Sequence, residues 1–163
     1  MKIPSKSECL KILKDNNVPD NIIAHLESVH NFSMKLADYL DKKGIKVNRE
    51  LVSAAAMLHD IKKLSPKHEI AGSEFVNSLG FPEVASIIRK HGLSNLDKEE
   101  FIPKTWEEKI VFYSDKRVNG SKIVSLDGRF DYIRQRYNKK EVDKEYHFAE
   151  KIEKEIFGDK AIF

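Results

Sequence analysis

Apolar residues recur at spacings of three and four along most of this chain, and strict polar/apolar alternation is nearly absent, so the pattern predicts helices rather than sheet. Turn-forming residues divide the helices. The first is expected over about Ser5 to Lys14, with Ser5 and Ser7 as candidate N-caps and Asn16-Asn17 closing it. A second opens at Pro19-Asp20 and runs to about Lys43, where Gly44 is placed for a helix C-terminus. Asn48 can cap a third, from Arg49 to about Lys63, which Ser65-Pro66 terminates. A fourth spans about Lys67 to Leu79 and stops at Gly80. Pro82 then takes a first-turn position in a fifth, which runs to Lys90 and closes at His91-Gly92. Leu93 to Lys104 has no periodicity and reads as a long loop. Thr105 and Glu108, at capping-box spacing, open a sixth helix through about Val118. Beyond Asn119-Gly120, two charge-rich helical stretches, about Leu126 to Tyr137 and Lys140 to Phe157, are expected on the outside of the core.

The expectation is therefore an all-α fold: about six core helices in residues 1–120, and a helical C-terminal extension, 121–163, packed on the same domain. A chain of 163 residues is long enough for one ordinary core. Its 29 Lys+Arg and 26 Asp+Glu are interleaved, so nothing in the charge pattern points to nucleic acid. Cys9 is the single cysteine, which rules out an intrachain disulfide and a cysteine zinc site; any metal here is held by nitrogen and oxygen. The amino terminus is too polar for a signal peptide, and no apolar run approaches the ~18 residues a membrane helix needs. A cytoplasmic protein with no membrane partner is expected.

Against this background His25, the doublet His59-Asp60, His68, His91 and Asp115 stand out. His25 shares a helix face with Ile22, Val29, Phe32, Leu36 and Leu40, whereas His30 points roughly 140° away and is expected at an edge or in solvent. Taken alone, His25 reads more readily as a hydrogen-bonded core histidine than as a ligand. The doublet follows LVSAAAML, a run so small and apolar that its helix belongs in the middle of the domain. There Asp60 needs a cation, a metal or else Lys62 or Lys63 at a helix end. His91 ends the stripe Val84, Ile87, Ile88, and Asp115 shares a face with Val111 and Val118; both belong on the buried side. A lone Asp115 reads more readily as an ion-pair partner than as a ligand, and His68, in a first helical turn, suits solvent as well as a ligand role.

The order of these residues, in PDNIIAHLESVHNFSMKLADYL, LVSAAAMLHDIKKL, KHEIAGSEFV, IIRKHGL and EEKIVFYSDKRV, resembles the HD superfamily of metal-dependent phosphohydrolases from about Pro19 to Val118. The resemblance implies a helical domain around one or two divalent cations. It implies His25, His59, Asp60 and Asp115 as ligands of the first, and His68 and His91 as ligands of a second, with Asp60 bridging. The chain is similar to small stand-alone members, including the branch of symmetrical diadenosine tetraphosphate hydrolases. Two departures stand out. The subfamily motif HDIGK carries a glycine where this chain has Lys62, and the Gly-Tyr-Pro signature of cyclic dinucleotide phosphodiesterases is absent.

These residues predict a metal-dependent phosphohydrolase acting on a nucleotide or another small phosphorylated molecule, with Asp60 and Lys63 as its catalytic residues. Imidazole and carboxylate ligands suit Fe, Mn, Co, Ni or Zn and do not choose among them. Lys63, matching the lysine of HDIGK, is the first candidate for a phosphate contact; Arg117 and then Arg89, Lys90 and Arg129 follow, each reading more readily as a solvated surface residue. Trp106, Phe112 and Tyr113, at helical spacing, read as core. Two alternatives stand beside this reading. One is a non-catalytic module that binds metal or nucleotide at the same residues; the other is a helical interaction or RNA-binding protein whose histidines are incidental.

Overall fold

Ser5 accepts the Glu8 amide and Glu8 returns a bond to the Ser5 amide, a complete capping box that opens α1 (Lys6–Asp15) in a computed structural model describing residues 1–137 and 142–163. Helix α2 (Asp20–Lys42) carries the longest apolar stripe; Leu26, Val29, Leu36, Ala37 and Leu40 lose all exposure. Asn48 caps α3 (Arg49–Leu58) through the Leu51 amide. Val52, Ala54, Ala55, Ala56, Met57 and Leu58 are completely buried, because α1, α2, α5 (Pro82–Arg89) and α6 (Trp106–Asp115) surround this helix. Three successive alanines let those neighbours approach closely.

Helix α4 (His68–Ser78) pairs with α5, and Ser73 Oγ donates to Ala85 O at 2.8 Å across the pair. A Cβ at Gly72 would lie 3.4 Å from Ile88 Cγ2, in ordinary van der Waals contact, a measure of how closely the two helices approach there. Gly80, at φ +91°, ends α4 in a backbone conformation that suits glycine. The expected loop over Leu93–Lys104 holds one short 3-10 turn, Glu99–Phe101, and the Thr105–Glu108 capping box opens α6.

Two elements differ from the sequence expectation. Helix α3 stops at Leu58, not Lys63. Beyond it the backbone closes three-residue turns, Ile61 N to Leu58 O, Lys63 N to Asp60 O and Ser65 N to Lys62 O, which tighten the chain as it approaches Pro66. Helix α6 likewise ends at Asp115. It feeds a two-residue antiparallel hairpin, β1 (Val118–Asn119) with β2 (Lys122–Ile123), turning at Gly120. Strands this short leave no alternation to read in sequence.

The extension forms α7 (Leu126–Tyr137) and α8 (Asp143–Phe157); the expected start of the latter at Lys140 lies outside the described residues. Ala149, Ile152 and Ile156 of α8 are buried, and Phe148 meets the Phe112 ring edge-on. Phe130 and Ile133 sink the inner face of α7. Among the described residues no helix is long and apolar enough to cross a membrane.

Candidate metal centre

Three helices deliver their C-terminal ends to one place. His59 is the C-cap residue of α3, Asp115 is the last residue of α6, and His91 lies just beyond α5. The carbonyl ends of helices carry partial negative charge, so their convergence favours a cation. His25 joins from the second turn of α2. His68 joins as the first residue of α4, behind Lys67 in a left-handed conformation at φ +50°.

The side chains meet in two overlapping groups. In one, His25 Nε2 is 3.1 Å from Asp115 Oδ1 and 3.5 Å from Asp60 Oδ2, and His59 Nε2 is 3.3 and 3.5 Å from the same atoms. In the other, Asp60 Oδ1 is 3.3 Å from His68 Nε2 and 3.2 Å from His91 Nε2, and those nitrogens are 3.2 Å apart. Asp60 thus turns one oxygen toward each group. The early end of α3 makes this possible, since the turns after Leu58 swing Asp60 alongside His59.

Backbone carbonyls fix the tautomer of three rings. His59 Nδ1 donates to Ala56 O at 2.8 Å, His91 Nδ1 to Ile88 O at 2.6 Å and His25 Nδ1 to Gly120 O at 2.7 Å. A carbonyl only accepts, so each Nδ1 carries hydrogen, and in the neutral ring Nε2 is a bare lone pair aimed at the carboxylates. When these three rings are neutral, lone pair faces lone pair. Asp60 Oδ1 is moreover buried with no hydrogen-bond partner among the described residues. A divalent cation removes these conflicts together, which makes the donor set a good fit for one.

Electrostatics agree. Burial opposes the charge on Asp60, but His59, with His68 and His91, holds its carboxyl well below the usual range. Burial likewise opposes Asp115, and there Lys116, His25 and His59 prevail. Burial outweighs the carboxylates at His91, whose pKa is lowered; at His25 burial is overcome by Asp115 and Asp60, and its pKa rises.

A cavity of about 270 Å³ opens onto this cluster, lined by Lys63, His68, His91, Asp115, Lys116 and Arg129 among others. A larger one, about 450 Å³, lies between the N-terminal segment and α3 and holds none of the cluster. Lys63, with Nζ 3.7 Å from Asp60 Oδ2, stands at the cavity that opens onto the cluster. Arg117 does not. It is buried, donating to Val124 O, the Tyr113 hydroxyl and Phe163 O, and it serves to tie α6 to the C-terminus. Arg89 stacks on Phe101 and Lys90 pairs with Glu108 at 2.6 Å. His30 also departs from expectation: it is buried against α3, with Nε2 2.8 Å from Ser53 Oγ, yet outside the cluster. Phe112 and Tyr113 are core residues, as their spacing implies, and Lys62 lies over the Phe75 ring.

Sequence reasoning missed two buried residues. Lys116 neutralises Asp115, and Glu69 places Oε2 3.6 Å from His68 Nδ1. The need of Asp115 for a counter-charge was a signal for the first. Glu69 looks in sequence like any first-turn acid.

A helical domain closing on clustered histidines and aspartates defines the class, and the comparisons name it: the chain belongs to the HD domain family, which matches residues 22–120. Among its relatives is a tRNA (cytidine(56)-2'-O)-methyltransferase of Picrophilus torridus, 34% identical over 143 residues that make up 79% of this chain and 40% of the relative. The enzyme of the same name from Thermoplasma volcanium is 29% identical, over 82% of this chain and 42% of the relative. An uncharacterized protein of Methanocaldococcus jannaschii is 32% identical, over 81% of this chain and 86% of its own length. The chain thus spans about two fifths of the two methyltransferases it matches. No solved structure matches it significantly.

Proposed function

We propose that this protein is a metal-dependent phosphohydrolase acting on a small phosphate ester or anhydride, a nucleotide in the first instance. The observation that carries the reading is Asp60: one buried carboxylate shared between two ligand groups, with a cavity and a lysine beside it. His25, His59, Asp60 and Asp115 would hold one ion, and Asp60, His68 and His91 a second; Fe, Mn, Co, Ni and Zn all suit these donors. A bound divalent ion supplies an acidified water and polarises a phosphoryl oxygen.

The chain's own residues do the rest. Lys116 engages Asp115 Oδ2 at 2.6 Å and leaves Oδ1 to face His25 and His59. The carbonyl bonds to His25, His59 and His91 fix those rings without cost at the moment of reaction. Lys63, which lines the cavity, would neutralise a non-bridging phosphate oxygen.

Purification without chelator, elemental analysis and turnover on a panel of nucleotides test this. Bound metal with phosphate release lost in Asp60→Ala is the expected result; a fully active Asp60→Ala protein sinks the assignment. A second reading, a non-catalytic metal- or nucleotide-binding module, draws on the two methyltransferase relatives, of which the matched stretch is a minor part. It predicts bound metal without hydrolysis of any phosphate ester.

A further inference from the structure

Among the described residues three cationic side chains reach the cavity at the metal centre, and they are not equivalent. Lys116 is committed to Asp115 Oδ2 and His91 O. Lys63 leans on Asp60. Arg129, in the first turn of α7, has no carboxylate partner among the described residues. One terminal nitrogen makes a long 3.4 Å bond to Asn119 Oδ1, and the buried Nε has no partner among the described residues.

An arginine kept for structure does not look like this. Arg117, between α6 and β1, spends every nitrogen on a carbonyl or hydroxyl, because a buried donor left unmatched is costly. The backbone that carries Arg129 is nevertheless held firmly: Phe130 beside it is fully buried, and the Ser125 hydroxyl accepts the Gly128 amide to fix the start of the helix. Among the described residues the guanidinium itself has only the long bond to Asn119 and the Tyr132 ring, 5.6 Å away. An arginine anchored at its backbone, with a spare donor on the wall of a cavity lined also by Lys63, is arranged for an anion absent from the fold itself.

We propose that Arg129, which lies beyond the family-matched residues 22–120, binds the substrate's phosphate and selects dianionic phosphate monoesters over monoanionic diesters. The inference rests on the phosphohydrolase reading for its substrate class. A monoester offers three unsubstituted oxygens and two charges, enough for Lys63 on one wall and Arg129 on the other. A diester lacks one charge and one free oxygen, and leaves a cation unmatched. The volume, about 270 Å³, is small for a ligand pocket and suits a small ester. The extension is then the wall that recognises what the metal-binding helices act upon.

The test is Arg129→Gln, with Arg129→Lys beside it, in the full chain loaded with manganese. Affinity for inorganic phosphate is measured by calorimetry, and kcat and KM on p-nitrophenyl phosphate and on its bis ester. The Gln variant is expected to bind phosphate about 10-fold more weakly and to raise the monoester KM about as much. Its kcat and its diester kcat/KM should stay within about twofold of the parent, its metal content and melting temperature should match the parent's, and Lys should restore part of the loss. Unchanged phosphate affinity and an unchanged monoester-to-diester ratio overturn the proposal while leaving phosphohydrolysis intact. Loss of folding or of metal in both variants also overturns it, marking Arg129 as a fastener. Arg129-dependent phosphate binding without turnover of any ester supports the proposal and sinks the hydrolase reading instead.

Discussion

Lys116 and Asp115, neighbours at the end of α6, form a buried ion pair in which Nζ lies 2.6 Å from Oδ2 while also donating to His91 O at 2.8 Å. The lysine therefore couples the Asp115 carboxylate to the turn that carries His91. Burial, with the Arg129 charge adding to it, lowers the lysine's pKa, and the carboxylate beside it works against that fall. Removing one partner of such a pair leaves an unmatched buried charge. Lys116→Met should cost about 3–5 kcal/mol in the chelated protein. Urea unfolding with and without EDTA checks this; a loss under 1 kcal/mol without metal would show that solvent already neutralises Asp115.

Stoichiometry should separate the two ligand groups. His68 touches only the group shared with His91, whereas Asp60 belongs to both. His68→Ala is expected to lower metal content by one ion per chain and keep the other, while Asp60→Ala removes all of it. EDTA should lower the melting temperature of the parent, since an ion present at 100 times its dissociation constant adds about 2.7 kcal/mol to stability. Elemental analysis and thermal scans read both effects. Equal metal loss in the two variants would mean a single site, and an unchanged melting temperature on chelation would favour incidental histidines.

How far the sequence carries the fold is visible in these same residues. Helix count, the caps at Ser5, Asn48 and Thr105 and the inward face of His25 follow from three- and four-residue spacing, a local property. The end of α3 at Leu58 and the Gly120 hairpin do not, because three-residue turns and two-residue strands leave no periodicity. Charged residues misled most. Arg117 reads as solvated until its partners Val124 and Phe163, one across the hairpin and one at the C-terminus, are folded against it. Arg129 reads the same way until α7 packs beside the cavity. Burial of a charge is decided by partners distant in sequence, and composition does not encode them.

Cys9 gives a pH-dependent prediction away from the metal. Burial pushes its thiol up to about 12, with Glu8 adding to the effect. A folded pKa above the unfolded value of about 8.5 stabilises the fold fully below that pH, and the contribution is lost as pH rises toward the folded value. At pH 9 the native thiol should resist iodoacetamide, whereas in urea it should be alkylated within minutes. Mass spectrometry of the two reactions decides. Equal rates would place Cys9 in solvent and undo the packing of α1.

Glu69 supplies the last prediction, because His68 differs from the other rings of the cluster. His25, His59 and His91 each donate Nδ1–H to a backbone carbonyl, whereas the nearest acceptor for His68 Nδ1 is the Glu69 carboxylate at 3.6 Å. Glu69 is itself buried, accepts from Asn95 Nδ2 at 3.3 Å and fills the space beside Gly92, where a Cβ would meet its Cδ at 3.3 Å. It is therefore held in place by groups other than His68, as a residue that orients a ligand must be. Such orienting carboxylates are worth about 10–100-fold in metal affinity. Glu69→Gln keeps the volume and the Asn95 contact but removes the charge that attracts an Nδ1–H, so the ion at His68 and His91 should bind at least 10-fold more weakly. The ion at His25, His59 and Asp115 should be unaffected, which gives an internal control within one titration. Calorimetric manganese titration of the apo protein resolves the two steps. A variant in which both affinities fall together would make Glu69 a packing residue, and one in which neither moves would leave His68 oriented by α4 alone.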